Sequence, residues 1–275
     1  MQDHPASFDL LLPPAMAERA EEVGVAKANM PLHRMFVLAV LAGAFIALGA
    51  NFFTVVVTES SLGFGPSRLL GGLAFSLGLI LVVIGGAELF TGNNLMVMAF
   101  AAGKVQAVRL LAVWAVVYAG NFAGAVATAV LVLLSGQWRL GGEEVGATAV
   151  RIASAKVDLD FEGAFFLGVL CNALVCLAVW LTYSARSTID KAVAIVFPIS
   201  AFVAAGFEHS IANMYFIPLG ILLENRVGAA SSADLGWVAF ASDNLLPVTL
   251  GNMVGGGVLV GLVYWFAYLW HRQGK

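Results

Sequence analysis

Two long apolar stretches of this chain each carry a glutamate in the same setting. Gly86-Ala87-Glu88 is followed, after four intervening residues, by Asn93, and 120 residues later Gly206-Phe207-Glu208 is followed at the same spacing by Asn213. A carboxylate inside an apolar run that can cross a bilayer is costly and marks a functional or structural site. The same polar interruption in matching segments of two halves is the pattern of a pore or transporter built from an internal repeat, with its site where the interrupted segments meet.

Composition supports that setting. Hydrophobic residues make up 60% of the chain and charged residues 11%, against about 25% charged in a soluble domain. The chain therefore reads as an all-α integral membrane protein. A net charge of −3 without any basic run leaves no footprint for nucleic acid. The N-terminus lacks the basic head and early apolar core of a cleaved signal peptide, so the first span is expected to be its own insertion signal. Cys171 and Cys176 share one apolar segment and read as packing residues, not a disulfide framework.

Apolar segments run over residues 35–58, 69–103, 110–138, 163–185, 192–223 and 244–270. Each exceeds the roughly 20 residues of a spanning helix. The second and fifth are too long, since 35 residues of helix measure about 50 Å against a hydrocarbon core of about 30 Å. These are the segments that hold the repeated motif. Each is expected to be two half-helices joined by non-helical backbone at mid-membrane, where such backbone must be buried in protein or line a wet cavity.

Six spans place both termini on one side. Arg19, Lys27, Arg34, Lys104, Arg109, Arg186, Lys191, Arg272 and Lys275 fall on that side, and Arg68, Arg139, Arg151, Lys156 and Arg226 on the other. This bias places both termini in the cytoplasm. Spans one to three and four to six then run oppositely, an inverted 3+3 repeat with spans two and five broken. Gly120-Asn121 with Gly124, echoed by Gly251-Asn252 with Gly255, agrees with the repeat, and glycines so spaced also let helices pack closely. Residues 1–30 form a cytoplasmic N-terminal segment, with a short amphipathic helix read between Phe8 and Ala28 and started by Pro13-Pro14. It is a packing helix or a plug. Residues 31–275 form the six-span domain.

Among candidate site residues, His209 is the one histidine within a span. It reads as a proton relay, or as a buried neutral ring satisfying the helix break. It has no neighbouring histidine or cysteine at ligand spacing, so neither a metal nor any cofactor is expected. Glu88 and Glu208 are proton carriers or tie down N–H groups freed at the breaks. Thr91 is an anion contact beside such groups, or a turn residue. Asn172 faces a pore or joins helices. Lys156 reads as a solvated residue of an external loop, and Phe75, Leu79, Phe90 and Phe202 as lipid-facing or packing side chains. An intramembrane hydrolase using Ser210 is disfavoured, because its neighbour His209 does not face it along a helix.

Ala87-Glu88-Leu89-Phe90-Thr91-Gly92-Asn93 and Phe207-Glu208-His209-Ser210-Ile211-Ala212-Asn213-Met214 resemble the two signatures of the formate/nitrite transporter family. Phe8 to Pro13, Gly71 to Leu79, Val175 to Trp180 and Asp243 to Asn252 resemble its formate-channel branch. The resemblance implies an aquaporin-like protomer in a homopentamer within the inner membrane and its lipid, with one pore per protomer. The pore would pass formate, nitrite or similar small anions. It implies that Thr91 and His209 meet at the pore centre with Asn172 nearby and Lys156 on the approach. Leu89, Phe90 and Val175 would form one constriction and Phe75, Leu79 and Phe202 the other, with Glu208 orienting the broken fifth helix. Glu88, Asn93 and Asn213 are the matching residues of the breaks. After Thr91 the chain reads Gly92-Asn93-Asn94 where formate channels usually have serine and threonine, and Val157-Asp158 follows Lys156 where they typically have histidines. Formate, nitrite and hydrosulfide remain open, as does a proton-coupled secondary transporter.

Overall fold

The structure is a computed structural model that describes residues 10–229, 231 and 235–272. Phe8, Asp9 and the rest of the first nine residues lie outside the described residues, as does Lys275. Among the described residues the chain is helical throughout: α1 (Pro13–Asn29), α2 (Leu32–Val57), α3 (Phe64–Gly85), α4 (Phe90–Asn93, Asn94–Met96 and Val97–Ala101 in succession), α5 (Ala107–Ser135), α6 (Glu144–Val157), α7 (Phe161–Ser184), α8 (Thr188–Ala205), α9 (Ser210–Leu223) and α10 (Trp237–Tyr268). Six of these, α2, α3, α5, α7, α8 and α10, are long and apolar enough to cross a bilayer. Large apolar side chains such as Leu131, Leu134, Phe197 and Val263 stand exposed on their outer faces, where lipid takes the place of a protein core.

The long second and fifth segments, residues 69–103 and 192–223, are each interrupted near their middles, after Gly85 and after Ala205, and turn helical again at Phe90 and Ser210. α3 has 22 residues, about 33 Å of helix, comparable to the thickness of a hydrocarbon core. A glycine decides where each long helix stops. Gly86 and Gly206 adopt the left-handed region at φ 77° and 78°. The following amides close a Schellman pattern, Ala87 N–H donating to Val82 O at 2.9 Å and Phe207 N–H to Phe202 O at 3.0 Å. After a few extended residues the chain turns helical again in α4 and α9.

Packing follows a matched plan. α2 lies against α3 and α5, α7 against α8 and α10, and α3 meets α8. A Cβ at Gly124 would collide with the Val40 carbonyl, and one at Gly255 with the Val169 carbonyl, so both crossings are backbone-close. α1 rests on α4 and α6 on α9. α6 corrects the reading of an external loop: Val145, Ala149, Val150, Ala153 and Val157 form a buried helical stripe. α10 is locally widened into π turns over Phe240–Leu245 and Val254–Leu262, a distortion that recurs at functional sites.

Candidate functional site

At the first interruption the Glu88 N–H donates to Leu38 O at 3.2 Å. The Glu88 carboxylate accepts from Lys27 Nζ at 2.7 Å and Asn93 Nδ2 at 2.8 Å, and Lys27 Nζ also donates to Asn93 Oδ1 at 2.6 Å. The first N–H of α4 does not go to the glutamate. Phe90 N–H donates to Asn121 Oδ1 at 2.9 Å, and Asn121 Nδ2 donates to the Ala39 and Glu88 carbonyls at 2.8 and 2.9 Å. The close α2/α5 crossing brings Asn121 within reach.

The second interruption repeats this chemistry. Glu208 N–H donates to Leu167 O at 3.3 Å. Lys156 Nζ donates to Glu208 Oε1 at 2.7 Å and Asn213 Nδ2 to Glu208 Oε2 at 2.7 Å. Ser210 N–H donates to Asn252 Oδ1 at 2.9 Å, and Asn252 Nδ2 to the Gly168 and Glu208 carbonyls at 2.8 and 3.0 Å. Asn244, on the first π turn, donates to the Lys156 carbonyl at 2.8 Å and accepts from Asn213 Nδ2 at 2.7 Å. Both carboxylates thus hold side chains, a lysine and an asparagine, because a buried carboxylate needs a counter-charge. The first amide of each returning helix, that of Phe90 or Ser210, goes to an asparagine.

Thr91 and His209 meet between the two interruptions. The N–H of Ala212 donates to His209 Nδ1 at 3.1 Å. Nδ1 is therefore the acceptor of a neutral imidazole, and Nε2 carries the proton that it donates to Thr91 Oγ1 at 3.0 Å. Both ring nitrogens are engaged, and among the described residues Ser210 Oγ has no hydrogen-bond partner. Asn172 Nδ2 lies 2.7 Å from Asn252 O, 2.8 Å from Asn94 Oδ1 and 3.3 Å from Thr91 O. Cys176 Sγ donates to the same Thr91 carbonyl at 3.2 Å. Asn172 thereby ties α4 to α7 and α10.

Two cavities flank this contact. One of about 500 Å³ is lined by Lys27, Leu79, Glu88, Leu89 and Asn93 among others. The other, about 270 Å³, is lined by Arg68, Phe75, Lys156, Phe202, Glu208 and His209. Phe202 packs edge-on to Phe75, ring centroids 5.6 Å apart, and stacks at 5.9 Å on His209. The structure therefore separates Leu79, on the Lys27 side, from Phe75 and Phe202 on the Lys156 side. Val175 is buried in the core. Phe90 points elsewhere, its ring edge-on to Trp114 and Tyr118 at the rim of a groove between α5 and α10.

Sequence reasoning missed Lys27, Asn121, Asn244 and Asn252 as holders of the site. The echo of Gly-Asn pairs in spans three and six was the available signal for two of them. Nothing local to the sequence marks Lys27 as the partner of Glu88, 61 residues away.

Residues 14–266 match a family model described as "Formate/nitrite transporter". The chain is similar to the formate channel FocA of Escherichia coli strain K12, 46% identical over 273 residues that cover 95% of this chain and 96% of that protein. It is 40% identical over 263 residues to the formate channel FocA of Haemophilus influenzae, covering 92% and 93% of the two chains. A solved structure described as "Pentameric formate channel with formate bound" superposes with a TM-score of 0.81 at 45% identity, covering 86% of this chain and 98% of that one.

Proposed function

The chain belongs to the formate/nitrite transporter family, and from that premise we infer that it is a multi-pass membrane channel for formate and related small monovalent anions of weak acids. Nitrite, named in the family's description, is the second anion to test. The relative described as pentameric and formate-bound supports a homopentamer with one pore in each protomer. We place it in the bacterial inner membrane, with both termini and the α1 segment on the cytoplasmic side, as the basic residues favour.

The two interruptions, with their matching Lys–Glu–Asn sets and asparagine ties, support an inverted 3+3 repeat with spans two and five broken. An aquaporin-like protomer follows from that repeat. The pore would run from one cavity to the other past Thr91 and His209, with Leu89 and Leu79 narrowing one side and Phe75 and Phe202 the other.

The Thr91–His209 hydrogen bond carries the mechanism. A charge at the bilayer centre costs several kcal/mol, and a neutral acid avoids most of that. A proton entering the ring at Nδ1 displaces the Ala212 N–H that this nitrogen accepts at rest and makes the ring cationic. The ring then gives its Nε2 proton to the anion, with the Thr91 hydroxyl as intermediary or neighbour. After the transfer, loss of the Nδ1 proton and regain of one at Nε2 restore the resting ring. Imidazolium and formate become imidazole and formic acid, and the acid passes the apolar wall and ionises beyond it. One proton accompanies each anion. Asn172 acts by holding the Thr91 carbonyl in place. The test is formate uptake by reconstituted vesicles with a pH indicator inside. His209→Ala is expected to abolish coupled proton entry, and coupled uptake at the unaltered rate would remove the histidine from the mechanism.

A further inference from the structure

The lysine nearest the centre on each side is already matched by a carboxylate. Lys156 and Glu208 lie 2.7 Å apart with side chains 15% and 6% exposed, and they form a neutral unit toward anything in the cavity. The cavity's charged lining residues are Arg68, Lys156 and Glu208. Subtracting the pair leaves the Arg68 guanidinium as the net charge. Its hydrogen bonds go to neutral groups, the carbonyls of Ala204 at 3.2 Å and Val203 at 2.5 Å, which end α8. Its face lies 5.9 Å from the Phe53 ring. These contacts orient the cation without cancelling it.

The other side shares the central pair and differs in its remaining charge: Lys27 is paired with Glu88, and Arg19, Arg186 and Lys191 also line that cavity, together with Val82, Val83 and Gly86 at the end of α3. These are the counterparts, 120 positions earlier, of Phe202, Val203 and Gly206 beside Arg68.

We propose that Arg68 is the anion-recruiting and charge-selecting residue of the Lys156-side mouth, and that the buried lysines serve mainly to hold Glu208 and Glu88. The ligand class is the small monovalent oxyanion of a weak acid. The site rests on the channel reading above. A lone positive charge in a cleft with low-dielectric walls raises the local anion concentration and the entry rate, and salt screens the effect.

The test uses sealed membrane vesicles of both orientations, sorted by access to an N-terminal tag, with formate entry measured at low and high ionic strength. Arg68→Gln is expected to slow entry from the Lys156 face roughly 3- to 10-fold at low salt, with the deficit shrinking at high salt and entry from the Lys27 face little changed. Arg68→Lys, which keeps the charge but loses the two-carbonyl fork, is expected to restore entry and its salt dependence even if Arg68→Gln loosens the end of α8. An Arg68→Gln deficit that is equal from both faces, or independent of salt, would overturn the recruiting role and leave only a structural one. Absence of formate flux in the unaltered protein would overturn the channel reading and this inference with it, an outcome distinct from the first.

Discussion

The two interruptions share their fastening and differ in what they present to the centre. Each has a lysine from a packed helix, a buried glutamate five residues before an asparagine, and a distant asparagine on a close-crossing helix that takes one amide and two carbonyls. One position after the glutamate stands Leu89 in the first and His209 in the second, and three after it stand Thr91 and Ile211. The repeat therefore supplies a symmetric frame, and chemistry enters where the halves depart from symmetry. The frames also differ in wetness: Lys27 is 23% exposed and holds both Glu88 and Asn93, whereas Lys156 is 15% exposed and Asn244 closes its network.

That difference makes the largest prediction. Lys156→Met leaves Glu208 buried without its counter-charge and is expected to cost about 3–5 kcal/mol, more than Lys27→Met at the wetter site. Thermal unfolding of the detergent-solubilised protein ranks them, and equal losses would mean that exposure does not separate the halves. Asn121→Ala and Asn252→Ala each strand three backbone groups, at about 1–3 kcal/mol for each group that water cannot reach. The two are expected to destabilise by similar amounts, near 3 kcal/mol on that scale; a large loss in only one would break the equivalence of the frames.

The asymmetric positions sharpen the comparison through flux. Thr91→Val removes the hydroxyl facing His209 and is expected to lower proton-coupled formate uptake on the order of 10²-fold, the usual scale of a lost proton-transfer group. Ile211→Val, at the matching place in the other half, is expected to cost about 0.5–1.5 kcal/mol of stability and to leave uptake near the unaltered rate. Comparable uptake losses in the two variants would erase the distinction between frame and chemistry. The smallest effect is expected at Glu144→Gln, on the outer face of α6. Its pair with Arg151 is 3.4 Å long with side chains 41% and 54% exposed, and its removal should shift unfolding by less than about 1 kcal/mol.

Much of the frame is readable along the chain. Membrane helices announce themselves by length and uniform apolarity, and all six begin within five residues of their expected starts, save that α10 begins seven residues earlier at Trp237; α3 and α8 stop 18 residues short of the apolar segments' ends, at the two interruptions. α6 was also readable, since its apolar residues recur at three- and four-residue spacing. Its charged ends, Glu143-Glu144 and Lys156 with Asp158, made it look like a loop. The candidate pair His209 and Thr91 stands out by residue type and motif position, but their 3.0 Å contact joins residues 118 apart and no local pattern encodes it.

What the sequence determines by itself is a membrane protein of six apolar spans with two polar interruptions in register, because bilayer thickness and the cost of buried charge constrain composition directly. Only the tertiary structure decides which lysine answers which glutamate, and that asparagines and not carboxylates take the first amide of each returning helix. Those outcomes depend on distances between helices far apart in the chain, set by backbone-close crossings at Gly124 and Gly255. Over a few ångströms in a low-dielectric interior, such distances separate a satisfied group from a costly one.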